Sequence, residues 1–223
     1  DDADASSVTL TVSASSVSEG GSLVYSAAVN NPVTGSDLVI SLSNGQTITI
    51  PVGQSSADSA AFAVRGDDAY LQGTQAVNVA ISGTSGGNYE ALTTTSSVST
   101  NVVDDADASS VTLTVSASSV SEGGSLVYSA AVNNPVTGSD LVISLSNGQT
   151  ITIPVGQSSA DSAAFAVRGD DAYLQGTQAV NVAISGTSGG NYEALTTTSS
   201  VSTNVVDDAD ASSVTLTVSA SSV

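Results

Sequence analysis

The chain carries 21 acidic residues in 223 against two arginines and no lysine, a formal net charge of -19. So acidic a protein lacks the basic surface that nucleic acid binding needs. Without histidine, cysteine or lysine it cannot build a Ser-His-Asp or Cys-His arrangement, a Schiff base, a disulfide or a thiolate metal site. No apolar run approaches membrane-span length, so direct membrane insertion is not expected.

Asp1, Asp104 and Asp207 open identical copies 103 residues apart, giving two complete repeats and the first 17 residues of a third. The expected domains are therefore 1–103 and 104–206, each of ordinary domain size, with 207–223 supplying a linker and the first strand of a further repeat. With neither an initiating methionine nor a signal peptide, the sequence reads as a piece from inside a longer repetitive chain.

Within one repeat, Val8 to Val12 alternates apolar and polar residues, the mark of a strand with one buried face. Ser18-Glu19-Gly20-Gly21 breaks the pattern, and Leu23, Tyr25, Ala27 and Val29 form the inward side of a second strand. Asn31-Pro32-Val33-Thr34-Gly35 reads as a turn, and Leu38–Leu42 as the third strand. Asn44-Gly45 signals a type I′ hairpin, which needs φ > 0 twice, leading into Thr47–Ile50. After a polar loop over 53–58, Ala60, Phe62 and Val64 alternate inward until Arg65-Gly66-Asp67-Asp68. Val77, Val79 and Ile81 mark the next strand, 83–90 turns, and Leu92 through Val103 is the last. Seven short strands without a helical period predict an all-β protein of tandem seven-stranded antiparallel β-sandwiches, immunoglobulin-like in type.

Counting strand directions places three acidic segments at one end of repeat 1: Glu19, the pair Asp67 and Asp68, and the exit residues Asp104, Asp105 and Asp107. The same set in repeat 2 is Glu122, Asp170, Asp171, Asp207, Asp208 and Asp210. Asp140, Asp161 and Glu193 fall at the end of repeat 2 expected to face the junction, whereas isolated Asp37 and Asp58 are expected only to solvate turns. Two arginines in the chain cannot neutralise such groups. A hard divalent cation can, and Ca2+ accepts six to eight oxygens from carboxylates, carbonyls and water, where Mg2+ demands stricter geometry. The spacing is not that of an EF-hand loop. Short calcium-binding linkers between sandwiches are the expectation, with Ca2+ as the cofactor.

The run Val17-Ser18-Glu19-Gly20-Gly21-Ser22, the hairpin Leu42–Ile50 and Arg65-Gly66-Asp67-Asp68-Ala69-Tyr70 resemble the extender repeats of giant RTX adhesins. Ser85-Gly86-Gly87-Asn88-Tyr89-Glu90-Ala91-Leu92 and Val103-Asp104-Asp105 extend that resemblance over the whole repeat. It implies a type I-secreted protein of the bacterial cell surface, similar to ice-binding and biofilm adhesins, with Ig-like domains in long arrays rigidified by Ca2+ at their linkers. The Glu19 and Asp67-Asp68 pattern is also similar to Calx-β domains, whose equivalent turns bind Ca2+. No glycine-rich RTX nonapeptide occurs here, which puts the secretion-signal region elsewhere.

The expected function is a calcium-rigidified spacer, not an enzyme, that projects an adhesive tip away from the cell. Its partners are the neighbouring identical repeats, and the tip's ligand is not on this stretch. The competing expectation is a ligand-binding adhesin module that attaches directly, for which Arg65-Gly66-Asp67 spells the integrin-recognition tripeptide.

Overall fold

The computed structural model describes residues 4–219. Among them strands and loops account for every element, and there is no helix. The chain divides into two compact units, Asp1–Asp107 and Ala108–Val223. The boundary falls after Asp107 rather than after Val103, so the acidic segment 104–107 belongs to the unit that precedes it.

Unit 1 builds β1 (Ala5–Val12), β2 (Ser16–Ser18), β3 (Ser22–Leu23), β4 (Tyr25–Val29), β5 (Leu38–Leu42), β6 (Thr47–Ile50), β7 (Ser56–Asp58), β8 (Phe62–Ala63), β9 (Gln75–Ser85), β10 (Ala91–Thr93) and β11 (Ser97–Val103). One sheet has the order β10-β1-β4-β7, a second has the order β2-β11-β9-β5-β6, and β3 pairs with β8. The period-2 patterns deliver one apolar face from each sheet to a shared core. Val8, Leu10, Tyr25, Ala27 and Val29 come from the first sheet, and Leu38, Ile40, Leu42, Ile48, Ile50 and Val79 from the second. Phe62 closes on Tyr25 with ring centroids 6.2 Å apart and planes tilted by 59°, a favourable aromatic geometry.

Four features depart from the sequence expectation. Two strand pairs are parallel, β1 with β10 and β2 with β11, so the sheets are mixed rather than wholly antiparallel. The last strand is interrupted at 94–96, where the chain passes from the first sheet to the second. The loop over 53–58 contains β7, whose Ser56 and Asp58 pair with Ala28 and Ser26. The Asn44-Gly45 turn is not type I′. Gly45 has φ +84°, but among the described residues no non-glycine has positive φ. Gly45 N–H donates to Leu42 O at 3.0 Å, and Leu42 N–H to Gln46 O at 2.9 Å. This is a three-residue loop in which one turn is followed by a left-handed glycine, and it needs φ > 0 only once.

Unit 2 repeats these elements 103 residues later, from β12 (Ala108–Val115) to β22 (Ser200–Val206), around an equivalent core. Residues 207–219, although they repeat the sequence of 1–13, form no strand. Leu10 is 3% exposed in β1, and its counterpart Leu216 is 97% exposed.

Candidate metal centre

The acidic end of unit 1 is assembled by backbone pairing. In the parallel β2–β11 ladder Ser18 lies opposite Val103, and the next amide, Glu19 N–H, donates to Val103 O at 2.9 Å. Glu19 is therefore held beside the chain's exit from β11, next to Asp104 and Asp105. The same turn grips the 65–68 segment, because Gly20 N–H donates to Arg65 O at 2.9 Å and Val64 N–H to Gly21 O at 3.1 Å. Gly20 has φ +70°, and a Cβ placed on it would stand 2.8 Å from Asp67 Cβ. Only glycine both adopts that conformation without strain and lets Asp67 approach.

In unit 2, Glu122, Asp170, Asp208 and Asp210 each bring one oxygen within 4.8 Å of the others. In unit 1, Asp67, Asp105 and Asp107 do the same, and Glu19 holds the position that corresponds to Glu122. The carboxylates act on one another. Asp107 first, then Asp105, then desolvation and Asp68, push the Asp67 carboxyl above the usual carboxylate range. Asp210 is raised as well, by desolvation first and then by Asp170, Asp208 and Asp171. Oxygens about 2.4 Å from one Ca2+ are separated by at most about twice that distance. Clustered oxygens that all lie within 4.8 Å of one another are close enough to share one such cation. Bare, the cluster concentrates like charge, and a divalent cation would relieve it.

The remaining four expected ligands reach the same end but face other partners. Asp68 accepts from Tyr70 N–H at 2.9 Å and from the Gln72 side-chain amide, and Asp171 accepts from Tyr173 N–H and the Gln175 side chain. Asp104 accepts from Gln72 N–H at 2.9 Å, Gly73 N–H at 2.7 Å and the Arg65 guanidinium. Asp207 repeats this with Gln175, Gly176 and Arg168.

Arg65 and Arg168 are members of the site that counting carboxylates overlooks. Arg65 Nε donates to Glu19 Oε2 at 3.0 Å, where the glutamate side chain is fully buried, and Nη1 donates to Gly73 O at 2.8 Å. The sequence does carry a signal: the chain's two cations each stand two residues before the aspartate pair. The acids assigned to solvation also have structural tasks. Asp37 accepts from Val52 N–H at 2.9 Å, and Asp58 from Ser26 Oγ at 2.5 Å. Asp140 and Asp161 accept the equivalent bonds in unit 2. Of the first junction copy, Asp1 and Asp2 lie outside the described residues, and Asp4 N–H donates to Glu90 Oε2 at 3.0 Å.

The family model of the LapA domain matches residues 4–106 and again 107–209. No curated protein matches the chain.

Proposed function

Because the chain belongs to the LapA domain family, a tandem repeat of large surface adhesins, we propose that it is a calcium-rigidified spacer, or extender, of a giant cell-surface adhesin. On this reading the parent is a type I-secreted RTX protein, exposed on a bacterium and carrying its adhesive tip at a distance. We read the eleven strand segments of a unit as seven Ig-like strands, four of them broken in two; the sheet order that supports this reading puts β1 and β10 in one sheet and β2 and β11 in the other.

One observation carries the proposal. Glu122, Asp170, Asp208 and Asp210 come from three separate segments and meet within 4.8 Å, and Asp208 and Asp210 lie in the stretch that leaves the unit. A cation bound there ties that stretch to the sandwich it has just left, and so fixes the direction in which the chain continues. Proline-free and rich in alanine, serine and aspartate, the same stretch has no stiffness of its own. Identical repeats set length without creating a unique site, as a spacer requires.

Calcium calorimetry combined with thermal melting is the test. Ligands drawn from distant segments couple binding to folding, so a site filled at about one hundred times its dissociation constant adds about 2.7 kcal/mol. Equal melting in calcium and in chelator, with no heat of binding, rejects the proposal. The alternative of a directly binding module is disfavoured by the state of its tripeptide. The Arg65 side chain is 14% exposed and engaged with Glu19 and Asp104, and Asp67 is one of the clustered carboxylates.

A further inference from the structure

The chain's two cationic side chains could lie anywhere on two units, yet both sit against the acidic end. Arg65 directs its three nitrogens to Glu19 Oε2, Gly73 O and Asp104 Oδ1. The other oxygen of Asp104 takes the amides of Gln72 and Gly73. Asp104 is thus enclosed by a guanidinium and a loop backbone, while Asp67, Asp105 and Asp107 gather separately. Unit 2 repeats the division: Arg168 Nε meets Glu122 Oε2 at 3.2 Å and its Nη2 meets Asp207, whose Oδ2 takes Gln175 N–H at 2.7 Å and Gly176 N–H at 2.6 Å.

We propose that Arg65 and Arg168 are positioning residues that sort each unit's carboxylates into two sets. Asp104 and Asp207 form a permanent latch, held by arginine and loop amides and standing outside the cation's shell. Asp67, Asp105 and Asp107, with Asp170, Asp208 and Asp210 in unit 2, form the cation site, and Glu19 and Glu122 touch both sets. A built-in cation has a consequence that a metal lacks, because it does not dissociate. The first residue after β11 stays anchored when calcium is gone, and only 105–107 is released. Arginine is required because its planar fork reaches two carboxylates and a carbonyl at once, which a lysine ammonium on a flexible stem does not. The cation half of this inference rests on the calcium reading above, and the latch half does not.

The experiment uses the full chain, amide hydrogen exchange and calcium calorimetry, with unit 2 as the internal reference. In chelator the Gln72 and Gly73 amides of the unaltered chain remain as protected as in calcium. Arg65→Lys keeps the charge but loses the fork, and exchange at those two amides in chelator speeds up by about tenfold. Asp105→Asn weakens calcium binding at unit 1 by about tenfold or more, and Asp104→Asn by less than about threefold. Equal losses from Asp104→Asn and Asp105→Asn make Asp104 a ligand and overturn the sorting. Loss of Gln72 and Gly73 protection when calcium is removed from the unaltered chain overturns the latch, and needs no variant to fold. Should the unaltered chain bind no calcium, the spacer reading fails by itself, and the exchange comparison still decides the latch.

Discussion

Gly20→Ala probes how the Glu19 turn positions the cluster. At φ +70° an alanine costs roughly 1–2 kcal/mol for the left-handed conformation alone. Its Cβ would also stand 2.8 Å from Asp67 Cβ and 3.7 Å from Asp67 Cα, so the Asp67 backbone has to retreat. Gly45→Ala is the matched control, because Gly45 has φ +84° and nothing lies within 4 Å of the added carbon. The control should cost about 1–2 kcal/mol, and Gly20→Ala about 1 kcal/mol or more beyond that for the displaced segment. For a domain of this size each kcal/mol lowers the midpoint by about 4–8 °C. The assay is calorimetric melting with and without calcium, with unit 2 unaltered in the same molecule. Gly20→Ala should lower the melting of unit 1 more than the control does, and should also erase most of unit 1's calcium response, which Gly45→Ala leaves intact. Identical behaviour of the two variants would refute the claim that the turn sets Asp67's place.

The pH dependence has a defined sign. Asp67 and Asp210 have carboxyls raised in the folded chain, so the folded state binds more protons than the unfolded state just above the ordinary carboxylate value. In chelator, stability should therefore fall as pH rises through that window; with calcium the trend should reverse, because the ligands must be ionised to bind it. Melting curves from about pH 4 upward, by about half a unit at a time, check both signs. Leu10 and Leu216 occupy the same place in identical sequence, at 3% and 97% exposure. Leu10→Ala should cost unit 1 about 2–5 kcal/mol in denaturant unfolding, and Leu216→Ala should leave both units unchanged.

The meeting of Asp67, Asp105 and Asp107 is legible in the sequence, because strand direction alone decides which turns share an end. The roles of Asp68 and Asp104 are not. Their partners are the backbone amides of Tyr70, Gln72 and Gly73, in a segment between β8 and β9 whose residues follow no period. A count of net charge sets Arg65 aside as too little to matter, although its geometry matters more than its charge. The parallel pairing of β1 with β10 and of β2 with β11 escapes for a related reason: alternation reports which face is buried and says nothing of the neighbour's direction. Asn44-Gly45 locates its hairpin correctly and suggests the wrong turn. The glycine takes the single left-handed position, and Asn44 Oδ1 instead accepts from Gln46 N–H at 3.2 Å, a local bond that asparagine favours in turns.

Small-angle scattering from the 223-residue chain, in calcium and then in chelator, tests the spacer account most directly. With circular dichroism showing both units folded throughout, calcium should give a compact set of interunit arrangements, and chelation a broader one with a changed maximum dimension. Asp105→Asn with Asp107→Asn should reproduce the chelated profile even in calcium. Profiles that superimpose with and without calcium, in a chain that remains folded, would mean that the acidic exit is a solvated linker and that calcium does not set the stiffness of the array.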